Sequence, residues 1–151
     1  TEEEYEGFKI RKYETYVEIM RYIGEETEVT VPEKIDGLPV ISLTYDAFSW
    51  SGYGFHGSNI TSVKLPKTLR NIGEKIFSGC EKLEQIEIPD SVTAIGDSVF
   101  SGCKALKTVK LSKKLKEIPY RAFYHCEGLE EISIPESVTT LGWSCFEGFL
   151  L

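Results

Sequence analysis

The sequence predicts a solenoid: short parallel strands, one per coil, stacked at a fixed period, with a single helical turn on the opposite side and a β-hairpin cap at the start. Three observations predict it. Phe77, Phe100, Phe123 and Phe146 recur every 23 residues. The same interval separates Cys80, Cys103 and Cys126, and also the apolar sets Ile60, Leu83, Leu106, Leu129 and Ile72, Ile95, Ile118, Leu141. No insertion or deletion interrupts the copies. A fixed period between about 20 and 30 residues marks stacked coils, none of which can cover its apolar face alone.

Within a coil, "LEQIEIP" places Ile86 and Ile88 one residue apart, the alternation of a half-buried strand, with Gln85 and Glu87 facing outward. Pro89 lacks a donor and ends that strand. Val92 and Ile95 turn the chain back over the core. Gly96 then releases the backbone into "DSVF", whose Phe100 closes the far side. Twenty-three residues leave room for only one helical turn there. Equal strands one period apart pair in parallel and in register, because a one-residue slip would turn a coil's apolar set outward.

The coils run 60–82, 83–105, 106–128 and 129–151, preceded by a lengthened one at 26–59 in which "VTVP" matches "IEIP" and "LTYDAF" matches "IGDSVF". That first coil carries two insertions, "EKIDG" and the aromatic, Gly-rich "SWSGYGFHGSN". Residues 1–25 lack the repeat, and their alternation around "FKI" and "YVEIM" suggests a hairpin cap. The whole reads as one solenoid domain, 1–151. No polar capping segment comes after "FEGFLL", although terminal repeats normally need one. The expectation is that the natural chain continues or that a partner covers this end.

The pattern C-x-x-L-x-x-I-x-I-P-x-x-V-x-x-I-G-x-x-V-F, from Cys80 to Phe100, resembles the BspA-type leucine-rich repeat, as does "VPEKIDGLPVISLTYDAF" at 31–48. Ser112 for Pro, Pro119 for Gly and Phe149 for Cys depart from the pattern without changing the fold. The resemblance implies a right-handed, curved solenoid. It also implies a bacterial cell-surface or secreted, adhesion-type protein, with no catalytic residue to carry over.

Net charge is −7, and residues 1–28 alone hold nine Glu against four basic side chains. This balance argues against nucleic acid or an anionic membrane as partner. No apolar run is long enough to span a bilayer. The thiols form a column of one per layer, which does not converge as a metal site requires. They read as small core residues, with a bridge between adjacent coils left open. His56 and His125 sit in no catalytic spacing, so the expectation is no enzyme, no metal and no cofactor.

Two surfaces remain for a protein partner such as a host matrix or cell-surface protein. One is the outward strand column with Lys64, Glu87 and Lys110, which cross-strand charge pairing also explains. The other is the insertion, where Trp50, Tyr53, Phe55 and His56 gather beside adaptable glycines; the competing expectation is that these rings fold into the core. A non-enzymatic protein-binding module is the first reading. A structural spacer within a larger surface protein and a carbohydrate-binding module are the alternatives.

Overall fold

Alternation, tight turns and the 23-residue period together set thirteen strands among the described residues of the computed structural model, which are 1–44, 54–55 and 58–149. Strands β1 (Glu2–Tyr5), β2 (Phe8–Lys12) and β3 (Val17–Tyr22) form an antiparallel meander. The β1–β2 turn is Glu6–Gly7, both at positive φ, the primed geometry that suits a two-residue hairpin. The cap is therefore three-stranded rather than a hairpin. The acidic opening, read as a merely solvated face, supplies its edge strand, where Glu2 pairs with Arg11 and Glu3 with Lys12.

Beyond the cap come β4 (Glu28–Thr30), β5 (Lys34–Ile35) and β6 (Leu38–Leu43). "EKIDG" becomes a second tight hairpin, β5–β6, turning at Asp36–Gly37 with φ of 51° and 77°. The repeats then contribute β7 (Ser62–Lys64), β8 (Asn71–Ile72), β9 (Gln85–Glu87), β10 (Ala94–Ile95), β11 (Thr108–Lys110), β12 (Glu117–Ile118) and β13 (Thr140–Leu141).

These strands stack as two ladders, so most repeats hold two strands rather than the single one expected. The first ladder runs β4-β7-β9-β11, all parallel, pairing Val29 with Val63, Ser62 with Gln85 and Ile86 with Val109. The second runs β6-β8-β10, and the cap extends it because β3 lies parallel to β6. It breaks before β12, which pairs with β13 alone. Gly73 and Gly142 donate to the preceding layer at Leu43 and Ile118, whereas Pro119 fills the equivalent place and has no N–H to give. Bulk works in the same direction. A Cβ on Gly96 or Gly142 would overlap the backbone nitrogen of Glu74 or Tyr120 in the layer before.

The far side carries no helix among the described residues; consecutive turns replace the expected helical turn. Their backbones nonetheless form a third ladder. Lys75, Phe77 and Gly79 donate to Asp97, Val99 and Ser101, and Ser98, Phe100 and Gly102 donate to Tyr120, Ala122 and Tyr124. Arg121, Phe123 and His125 continue to Trp143, Cys145 and Glu147. Each turn needs left-handed backbone twice, at Lys75, Ser98, Arg121 and Ser144, and at Gly79, Gly102, His125 and Gly148.

Between the ladders lies one apolar core. The rings of Phe55, Phe77, Phe100, Phe123 and Phe146 stack with centroids 5.1 to 5.6 Å apart and planes within 16° of parallel. Tyr22 of the cap lies on the first of them at 5.2 Å. Such contacts add about 0.5–1.5 kcal/mol each beyond burial. Ser112, where a strand-ending Pro was expected, is fully buried and satisfied: its hydroxyl donates to the Val92 carbonyl at 2.6 Å and accepts from the Lys114 N–H.

Candidate interaction surfaces

The parallel sheet β4-β7-β9-β11 turns every second side chain to solvent, and this displays Lys64, Glu87 and Lys110 as one exposed column headed by Thr30. The Lys110 ammonium stands 3.2 Å from the Glu87 carboxylate, with both side chains about two-thirds exposed. In water such a pair contributes about 0.2–1 kcal/mol. The geometry satisfies ladder pairing, and it leaves the column accessible.

Of the insertion residues, Trp50, Tyr53 and His56 lie outside the described residues. Phe55 corrects the expectation of a recognition ring. It is 1% exposed and packs between Tyr22 and Phe77 as the head of the aromatic column. Its burial has a period of its own as the cause, because the lengthened coil delivers it to the slot that Phe77 fills one layer on.

A third surface was missed at the level of sequence. On the turn side, the outward column reads Glu74, Asp97, Tyr120, Trp143, and every member is exposed. Tyr120 is 43% and Trp143 86% exposed. The Arg121 guanidinium lies 5.0 Å from the Tyr120 ring centroid and 4.4 Å from that of Tyr124, sandwiched by cation–π contacts. Glu74 and Asp97 are exposed in inner layers too, so this column faces solvent along the stack, and Trp143, in the last described layer, is twice as exposed as Tyr120. Comparing the 23-residue copies at this position would have shown acidic residues giving way to aromatic ones.

Between the two strand ladders, Lys67, Arg70 and Lys114 line a shallow groove of about 380 Å³ with Thr68, Ser91 and Thr93. Next to Ser91, the Asp90 carboxylate accepts the Lys113 backbone N–H at 3.0 Å.

The thiols face inward. Cys80, Cys103 and Cys126 each donate Sγ–H to the carbonyl of the phenylalanine one layer back, Phe55, Phe77 and Phe100, at 3.0 to 3.1 Å. All four cysteines are buried and unbridged. Burial pushes the Cys126 thiol up to about 12 and raises Cys103 and Cys145, so they stay protonated and poor nucleophiles. Among the described residues no group of three or more His, Cys, Asp and Glu is placed to hold a metal ion.

The repeated Cys–Leu–Ile–Ile–Pro–Ile–Gly–Phe geometry is that of a known repeat. The profile of the BspA type Leucine rich repeat region, in six copies, matches residues 49–151. The chain belongs to the BspA-type leucine-rich repeat family. No curated protein matches it. Among solved structures, this BspA-type chain is similar to the pneumococcal vaccine antigen PcpA, at 24% identity and a TM-score of 0.72, over 99% of this chain and 48% of that one. It is also similar to the T. pallidum Leucine Rich Repeat protein TpLRR, at 23% identity and a TM-score of 0.58, over 98% of this chain and 89% of that one. A leucine rich cell surface protein from Faecalibacterium prausnitzii matches at 21% identity and a TM-score of 0.57, over 98% of this chain and 52% of that one. These likenesses show the leucine-rich-repeat fold. The chain spans about half the length of the PcpA and F. prausnitzii structures. No helix among the described residues is long and apolar enough to cross a membrane.

Proposed function

We propose that this chain is a non-enzymatic protein-binding module of a bacterial surface or secreted protein. The observation that carries the reading is the exposed pair Trp143 and Tyr120, with the half-buried Arg121 against the Tyr120 ring, on a turn side held by its own backbone ladder. Trp, Tyr and Arg are the residues that most often dominate binding energy at interfaces. Here they sit on a scaffold that orders almost nothing further on binding. The Lys64, Glu87 and Lys110 column on the opposite strand face is the second contact surface, and Trp50, Tyr53 and His56 are further candidates. The partner class is an extracellular protein of the host matrix or a cell surface. A right-handed curved stack, functioning as one solenoid domain over residues 1–151, suits such display.

The test is retention of partners from matrix and cell-surface extracts by immobilised protein. Trp143→Ala with Tyr120→Ala should abolish retention and leave the melting temperature unchanged. Retention that survives this pair but is lost with Lys64→Ala, Glu87→Ala and Lys110→Ala moves the site to the strand face. A scaffold that retains nothing is a spacer.

A further inference from the structure

Three inner segments that join the strand ladders, 65–70, 88–93 and 111–116, carry five basic side chains and one acidic one, on a chain of net charge −7. The bases are Lys67, Arg70, Lys113, Lys114 and Lys116, and the acid is Asp90. The 23-residue period explains the groove among them. One column reads Thr68, Ser91, Lys114, and another Arg70, Thr93, Lys116. The middle layer supplies Ser91 and Thr93, both short, where its neighbours supply long cationic side chains. This step accounts for the depression of about 380 Å³.

The cations of the groove stand without acidic partners. Lys67, Arg70 and Lys114 are exposed, and among the described residues none of them is in an ion pair, whereas Lys104 and Lys110 elsewhere in the stack reach Glu81 and Glu87 at 3.6 and 3.2 Å. The hydroxyls add a donor. Thr68 donates to the Val40 carbonyl at 2.7 Å and Thr93 to the Arg70 carbonyl at 3.4 Å, but the Ser91 hydroxyl has no partner among the described residues. The half-buried Pro39 and Ile41 close one end. Unpaired donors beside an apolar end fit an anionic ligand with an apolar side.

We propose that this groove binds an extended acidic peptide segment of a protein partner, with one carboxylate at Lys67 and Arg70, a second at Lys114, and an apolar residue on Pro39 and Ile41. Spacing selects this occupant. Stacked strands lie about 4.8 Å apart, so Lys114, two layers on, stands about 10 Å along the stack from Lys67 and Arg70. In a polyproline II chain, residues three apart share a face at about 9 Å. Ser91, midway, offers its hydroxyl to the peptide backbone. The lining holds no aromatic ring on which a sugar could stack, which disfavours an acidic glycan. Binding here rests on the reading of the chain as a protein-binding module, at a surface distinct from Trp143 and Tyr120.

The test uses the full chain and three labelled peptides: Pro-Glu-Pro-Pro-Glu-Pro, its Gln counterpart, and a version with the two Glu adjacent. By fluorescence anisotropy at low salt the first should bind about tenfold more tightly than the Gln peptide, as two exposed ion pairs allow, and about threefold more tightly than the adjacent-Glu peptide. Lys67→Ala, Arg70→Ala and Lys114→Ala together should remove the preference and leave the melting temperature unchanged. Lys64→Ala with Lys110→Ala, or Trp143→Ala with Tyr120→Ala, should keep it. Equal binding of the three peptides, a preference that survives the triple substitution, or an equal loss in the Lys64 and Lys110 variant overturns the proposal. An acidic polysaccharide that binds through the same three cations while the peptides do not also overturns it. If extract proteins are still retained through Trp143 and Tyr120 when the peptides fail, this site falls and the protein-binding reading stands.

Discussion

Residues 106–128 and 129–149 share a plan and differ in burial. Leu115, Ile118 and Phe123 are buried, whereas Val138, Leu141 and Phe146, one period on, are half open. Cys145 stays buried, as Ala122 is one period before it. A layer in this stack is covered on one side by its predecessor and on the other by its successor. Burial is therefore a property of position in the pile rather than of the side chain, which is the one-dimensional logic of repeat proteins.

The largest effect that sharpens this contrast is aromatic truncation. Phe100→Ala should cost about 3–5 kcal/mol, as for buried aromatics generally, and Phe146→Ala less than half of that. Equal shifts in the urea midpoint would break the contrast. Next comes alkaline pH. The thiols' folded values lie above their unfolded ones, so their contribution is complete below about pH 9 and fades as pH rises toward 12. Urea titrations should show stability falling across that window, more steeply than in a variant with Cys103→Ala and Cys126→Ala. If the two slopes match, the buried thiols are not responsible.

Gly96→Ala and Gly142→Ala probe the covered side of each layer. Both would press a methyl group on the preceding backbone, so both should cost about 1–3 kcal/mol and to a similar degree. A Gly142→Ala variant as stable as the parent chain would show that the last layer is loosely seated. The smallest effect is a gain. His125 holds φ at 53°, where its counterparts are Gly79, Gly102 and Gly148. Relieving that left-handed strain by His125→Gly should stabilise by about 0.5–1 kcal/mol in thermal melts.

How much was legible in the sequence depended on whether a feature repeats. The phenylalanine column, the first ladder and the inward thiols recur in several copies, and were expected in their places. The second ladder was not foreseen, because two residues such as Ala94–Ile95 are too short to show alternation and pair only through the layer beside them. β1 looked like solvated charge, since glutamates on an edge strand carry no apolar signature. Phe55 was left open between a surface ring and a core ring because its glycine neighbours suggested a loop, although its carbonyl and ring serve the same column as Phe77. Tyr120 and Trp143 went unseen for the opposite reason: they differ from Glu74 and Asp97, and only the constant spacing of 23 residues puts the four in one place.

The sulfhydryls aimed at the phenylalanine carbonyls give the molecule a built-in set of clocks. Each sits at a different storey, and an alkylating reagent can reach it only when that storey parts from the one beneath. The labelling rates of Cys80, Cys103 and Cys126, read separately by mass spectrometry, would time the opening of three successive seams in an unaltered chain.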